Sequence, residues 1–262
     1  AQLLTGDGRA WHMRTKELLK KLYQSGRLVP HASAKLSSPV TDEQWCDEAL
    51  ATHENTPLSG VIVPKTTVGS YARNPLVSSI ERLATAPWWA DRSCSIRLNR
   101  TLADYQTALR LVLRHANHLM FIDPHLDPLK RGYEDFGALL QSAGQRSPRP
   151  RIELHRVAYQ SAGQKRVFLD LPTLEKDFRD KLGGPLRDVG LEAEVYIWDD
   201  FHDRYVISNL IGISVPNGFD TSNAATARTT WTRLGRADRD DVQKEFHPSA
   251  NRHAIRRRFV IS

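Results

Sequence analysis

Apolar positions along this chain fall into two spacings, and their order predicts an α/β protein. Thr101 opens a run in which Tyr105, Leu109, Val112, Leu113 and Ala116 recur at helical spacing. It leads directly into His118-Leu119-Met120-Phe121-Ile122-Asp123-Pro124, a continuous apolar run that reads as a strand feeding a loop. Tyr133 to Ala143 is expected as a helix ending at Gly144, and Arg151 to Ala158 as a strand. Thr173 to Leu182 is a further helix, closed by Gly183-Gly184 and restarting after Pro185. Glu192 to Phe201 is the next strand, and Leu210 to Val215 another, ended by the turn Pro216-Asn217-Gly218. Strands over Thr229 to Leu234 and Ile255 to Ile261 flank a helix over Arg239 to Phe246. Alternation of this kind predicts a mixed sheet flanked by helices.

The first hundred residues are patterned differently. A helix is expected over Arg14 to Ser25, with Leu18, Leu19, Leu22 and Tyr23 on one side, Lys16, Lys20 and Lys21 on the other, and Gly26 as its cap. Residues 30–60 are rich in Ser, Pro, Thr and His and read as loops around a short helix, Asp42 to Thr52. Thr41 and Gln44 are spaced as a capping box at its start. Gly60-Val61-Ile62-Val63-Pro64 reads as a short strand, residues 74–86 as a helix, and Ala86-Pro87-Trp88-Trp89 as a break whose indoles anchor packing. Cys94 to Leu98 alternates as a strand. The division expected is an N-terminal, mainly helical extension or small recognition domain over 1–100 and an α/β domain over 101–262.

Charge narrows the partner. The chain of 262 residues carries a net charge of +7, and residues 228–262 hold nine Lys/Arg against four Asp/Glu. A basic excess favours an anionic partner, nucleic acid or an acidic phospholipid surface. No apolar run approaches the roughly 20 residues needed to span a bilayer. Cys46 and Cys94 have no spacing that suggests a metal site, and no cofactor is implied. Two cysteines without an export signal point to a reducing cytoplasm.

The chemistry concentrates in Asp199-Asp200-Phe201-His202-Asp203-Arg204-Tyr205-Val206. In an extended strand His202, Arg204 and Val206 share one face, so an imidazole and a guanidinium meet any ligand together. That pair suits a phosphate. Asp123 and His125 lie at the carboxyl end of an earlier strand, the end where ligands of such sheets collect. Arg256-Arg257-Arg258 adds a basic run beside the last strand.

On these residues the chain resembles the phospholipase D superfamily, whose signature is His-x-Lys, an Asp five residues after the Lys, and a Gly-Ser-x-Asn-like segment. His202 matches the family's nucleophile, Arg204 stands where Lys is usual, and Asn209 stands where Asp is usual. Asn217-Gly218-Phe219-Asp220 falls nearest to the last segment. The phrase His-Asp-Arg-Tyr is more similar to the phospholipase D-like domain at the C-terminus of MIT-domain proteins and their bacterial relatives, some of which bind phospholipid head groups without turnover.

The resemblance implies a phospholipase D-like α/β fold over roughly 101–262 and a phosphodiester-directed activity without metal. His202 would attack phosphorus and Arg204 would clamp the phosphate. Asp123, Asn209, Asn217, Asp220 and Arg256 to Arg258 would contact substrate. A single motif copy implies a homodimer with two His202 side chains facing each other, or a second histidine from His125, His155 or His247. His155, in mid-strand, is expected as a satisfied core or surface histidine. Three functions stay open: a nuclease-like phosphodiesterase, in a setting such as bacterial nucleic-acid defence; a non-catalytic phosphate-binding module with a degenerate site; and an interaction module whose pocket is vestigial.

Overall fold

The computed structural model describes residues 39–55, 58–90, 93–144, 147–162, 165–250 and 252–262, with residues 13, 16–17 and 19–24 of the N-terminal segment. The chain divides into two compact units, Val29–Cys94 and the remainder, Ala1–Leu28 with Ser95–Ser262.

The smaller unit is built on helix α1 (Asp42–Asn55) and two short parallel strands, β1 (Val61–Val63) and β2 (Val77–Ser79). The capping box at its helix forms: Gln44 N–H donates to Thr41 Oγ1 at 3.2 Å, and Gln44 Oε1 accepts from Thr41 N at 3.2 Å. Cys46, Val63 and Val77 form its core. The helix expected over 74–86 is instead β2 followed by the 3-10 helix Ile80–Thr85. The tertiary reason is a turn at Asn74, whose carbonyl accepts from Val77 N, and the pairing of Val77 with Val61. Trp88 lies over Gly60, where a Cβ would collide with the indole, so this tryptophan does pack. In the N-terminal segment the described residues are helical, with Leu19 and Tyr23 exposed; Leu18, Ser25 and Gly26 lie outside the described residues.

In the larger unit the chain runs β3 (Ser95–Asn99), α2 (Leu102–His115), β4 (His118–Ile122), α3 (Phe136–Gln141) and β5 (Arg151–Val157). A hairpin, β6 (Tyr159–Ala162) and β7 (Lys165–Phe168), precedes α4 (Leu171–Asp188) and β8 (Ala193–Trp198). Then come β9 (Tyr205–Ser208), β10 (Gly212–Ser214), β11 (Arg228–Arg233), α5 (Arg236–Glu245) and β12 (Ile255–Ile261). Eight strands make one sheet in the order β12-β8-β5-β4-β9-β10-β11-β3. β4, β5 and β8 are parallel and the other pairings antiparallel, which makes the mixed, helix-flanked α/β sheet that the sequence predicts. β3, which the sequence assigns to the N-terminal segment, pairs with β11 at the sheet edge. Among the described residues no helix is long and apolar enough to cross a membrane.

Period-two alternation places successive strand residues on opposite faces. Leu119, Phe121, Ile152, Leu154, Val195, Ile197 and Val206 face the core shared with α2, α3 and α4. Met120, Ile122, Val157, Tyr196, Trp198 and Ile207 face Val242 and Phe246 at α5. α4 runs straight through Gly183-Gly184-Pro185 because Leu182 and Leu186 are both buried in the core. Apolar burial of two leucines outweighs the low helix propensity between them. Pro185 packs on Gly137 of α3.

On the α5 face a polar network crosses the sheet. The buried Glu153 takes His118 Nε2 at 3.1 Å, Arg151 Nη2 at 2.7 Å and His155 Nε2 at 3.3 Å, while His155 Nδ1 accepts from Trp198 Nε1 at 3.0 Å. Of the two settings open to His155, core or surface, it takes the core. Burial pushes the Glu153 carboxyl up, but its hydrogen bonds from His118 and His155 more than offset that and hold it well below the carboxylate range. Burial pushes the His155 imidazole down. Both groups bind protons more readily when unfolded, so each contributes stability that is lost as pH falls. Thermal melts from pH 7.5 down to 4 are expected to show a falling Tm, first below about pH 6.5 and again below about pH 4.5. Glu153→Gln is expected to cost about 2 kcal/mol at neutral pH and to flatten the lower limb. An unchanged acid limb in that variant would remove Glu153 as its source.

Candidate functional site

The carboxyl ends of β4, β5 and β8 lie at one end of the sheet, and β9 and β12 begin there, since Tyr205 pairs with Ile122 and Ile255 with Trp198. Asp123 follows β4 directly and is fully buried. Its Oδ1 accepts from His125 N at 3.0 Å, and its Oδ2 accepts from Tyr133 Oη at 2.7 Å and Phe219 N at 3.3 Å. Arg204 Nε lies 3.3 Å from Asp123 Oδ1. Carboxylate and guanidinium from two adjacent strands therefore form an ion pair beneath the surface. Arg204 Nη1 donates to Pro216 O at 3.3 Å, and Nη2 has no partner among the described residues. The Arg204 side chain is 26% exposed, so part of it is open to a ligand.

The turn Val215 to Gly218 closes this group. Gly218 N donates to Val215 O at 2.7 Å, and Gly218 holds φ +70°, where a Cβ would overlap Asp123 Oδ2. Glycine is required there twice over, for the left-handed backbone and for the approach to the carboxylate. Asn217, exposed, sits on this turn. Asp220 is engaged by an ion pair with Arg100, and its carbonyl accepts from Tyr105 Oη at 2.9 Å, so it secures the loop to α2. Burial and the nearby Asp123 carboxylate push the Tyr133 hydroxyl far above the ordinary phenol range, which keeps it a donor.

His202 has its side chain 78% exposed, with Nε2 3.8 Å from Asp200 Oδ1. That distance is too long for a hydrogen bond. Asp200 also takes the Tyr159 hydroxyl and Arg166 Nη2, the latter at 2.7 Å. Burial pushes the Asp200 carboxyl up, but those two partners more than offset it and keep it ionised. His125 is half-buried, and burial first, then the Arg204 charge, push its imidazole toward the neutral form.

Other residues expected at the site are used elsewhere. Asn209 lies past the far end of β9, where its Oδ1 accepts from Asn117 N at 2.8 Å and His118 N at 3.3 Å. Five residues of extended chain separate it from Arg204, roughly 16 Å. It caps the entry to β4 and cannot reach a ligand on Arg204. Arg257 Nε pairs with Glu175 at 2.6 Å, and Arg258 pairs with Glu194 and lies over the Tyr196 ring. Arg256, exposed at the bulge that opens β12, has no ion pair among the described residues. His247 Nδ1 contacts Ser249 Oγ at 2.7 Å beyond α5.

No protein-family model and no curated protein matches this chain. Solved structures are similar in part, two of them as follows. A phospholipase D family member, Nuc from Salmonella typhimurium, superposes with a TM-score of 0.39 at 9% identity, over 62% of this chain and 97% of that one. TrmBL2, an archaeal chromatin protein with a novel mode of DNA binding, superposes with a TM-score of 0.32 at 12% identity, over 89% of this chain and 78% of that one.

One prominent residue of this region is absent from the sequence reading. Arg156 is only 2% exposed and shares its strand face with Ile152 and Leu154. A charged residue on the apolar face of a central strand was the available signal. With His125, Asp127, Lys130 and Gln160 it lines a cavity of about 110 Å³.

Proposed function

We propose that this protein is phosphodiester-directed, taking phosphates of nucleic acid at Arg204 and His202 and cleaving them without metal. The observation that carries the reading is Arg204. Its Nε is anchored on buried Asp123, its Nη2 has no partner among the described residues, and it stands two residues after an exposed histidine. An anchored guanidinium presents its fork to phosphate oxygens at reduced entropic cost. The basic net charge and the His-x-Arg resemblance support the same reading.

In the reaction, a neutral His202 nitrogen attacks phosphorus. An N–P bond forms and the P–O bond to the leaving group breaks. Arg204 offsets the charge gathered on the phosphoryl oxygens. A general acid gives the leaving oxygen its proton, and water then cleaves the phosphohistidine. The second group would be His202 of another copy in a homodimer, or His125.

Binding without turnover is the second reading. It is favoured by a specific observation: among the described residues His202 has only the Asp200 contact, and no second histidine touches it.

The test uses single- and double-stranded DNA and RNA with EDTA present. Wild type is expected to cleave, with His202→Ala lowering the rate by at least about a thousandfold. Arg204→Ala is expected to weaken binding about tenfold and reduce the salt slope by about one. Cleavage by His202→Ala at the wild-type rate would sink the catalytic assignment. Salt-dependent binding with no cleavage by wild type would leave the second reading. Phosphatidylserine vesicles in the same binding assay separate a lipid head group from nucleic acid.

A further inference from the structure

Arg156 presents an electrostatic imbalance that the site above does not resolve. Its side chain is 2% exposed, and a guanidinium remains charged even when buried. Burial opposes that charge, and Asp127, Asp123 and Tyr133 lie near enough to favour it. Yet no carboxylate forms an ion pair with it among the described residues. Its Nε donates to Val157 O at 3.0 Å and its Nη1 to Leu126 O at 2.9 Å, both neutral carbonyls. Nη2 has no protein partner among the described residues. Buried charges are ordinarily paired, because an unpaired one costs several kcal/mol, about 3–5 when a partner is removed.

The cavity beside Arg156 adds a second cation and a donor. Its lining is His125, Asp127, Lys130, Arg156 and Gln160. Asp127 is its only acid, and its Oδ1 already accepts from Leu129 N at 3.1 Å. Asp123, the other nearby carboxylate, is committed to Arg204. Arg156 and Lys130 together therefore exceed the negative charge that faces them. The volume, about 110 Å³, is well above the roughly 10–15 Å³ that a single water needs. That is room for a small oxyanion.

We infer that this cavity binds a single phosphoryl-sized oxyanion, held by Arg156 and Lys130 with His125 and Gln160 completing its hydrogen bonds. The anion supplies the counter-charge that the buried guanidinium lacks. Its source is either free phosphate or the phosphorylated end of a nucleic acid. The site stands whether or not His202 reacts.

Inorganic phosphate is the probe, titrated by calorimetry and thermal melts against chloride at equal ionic strength. Phosphate is expected to raise Tm in a saturable way. Lys130→Ala, at an exposed position, is expected to weaken phosphate about tenfold, and Arg156→Gln at least as much. Circular dichroism checks that each variant folds. Should Arg156→Gln fail to fold, the double variant Lys130→Ala with Gln160→Ala carries the test. Phosphate no more stabilising than chloride, or affinity unchanged in folded variants, would overturn the inference. Oligonucleotides with and without a 5′-phosphate then separate the sources. A tenfold preference for the phosphorylated end assigns the anion to nucleic acid, and equal binding beside tight free phosphate assigns it to the free ion. Intact phosphate binding without cleavage in EDTA would remove the reaction at His202 and leave this site in place.

Discussion

Asp123→Ala is expected to destabilise the protein by about 4 kcal/mol, the largest effect of any single substitution considered. The carboxylate is fully buried and joins the nearby His125 backbone and Tyr133 hydroxyl to two groups far away in sequence, the Phe219 backbone and the Arg204 guanidinium. Its removal leaves a cation and several donors without an acceptor in a space closed to water. For a chain of this size the loss corresponds to a drop in Tm of roughly 8–16 °C. Asp123→Asn separates the terms. It keeps an acceptor oxygen but sets an amide N–H₂ against a donor, Phe219 N or the backbone of His125, and removes the charge from Arg204. An intermediate loss is expected. A Tm within about 2 °C of wild type for Asp123→Ala would show that these loops are held by something other than the carboxylate.

Gly218→Ala carries the next largest effect, about 3 kcal/mol, and acts on the same centre from the other side. The backbone at φ +70° strains any residue with a Cβ. The added methyl would also overlap Asp123 Oδ2, which is fixed by its own hydrogen bonds and cannot swing away. Left-handed strain and overpacking act in the same direction. Thermal melts are expected to show a fall of roughly 6–12 °C. Asn217→Ala, on the exposed neighbouring position, is the control and is expected to stay within about 0.5 kcal/mol. Equal effects at both positions would mean that the turn as a whole, rather than its approach to Asp123, is what matters.

The order of helices and strands from residue 101 onward was legible because side-chain period is a local property of the backbone. A spacing of 3.6 or 2 shows in a short window, so α2, β4, β5, β8, β11 and β12 stand close to where their apolar positions put them. The capping box of Thr41 and Gln44 was legible for the same reason, since all its groups lie within one turn. The shared face expected of His202, Arg204 and Val206 required an extended strand, and β9 begins only at Tyr205, so alternation does not govern His202 and Arg204. Where local preference misled, burial had overridden it: α4 continues through Gly183-Gly184-Pro185, and residues 77–79 pair as a strand.

Which side chains meet was decided by strand order, and no local window contains that. β4 lies between β5 and β9, and this neighbourhood brings Asp123 to Arg204 and sends Asn209 to the opposite end of the sheet. The same packing neutralises Arg257 and Arg258 on Glu175 and Glu194, so much of the basic tail's charge is spent within the fold. It also buries Arg156 beside an open cavity. The sequence by itself determined the elements, the faces of each strand and the residue types able to handle phosphate. Only the tertiary structure decided which of those residues share a site, because ion pairs and buried charges depend on distances set by non-local packing rather than by spacing along the chain.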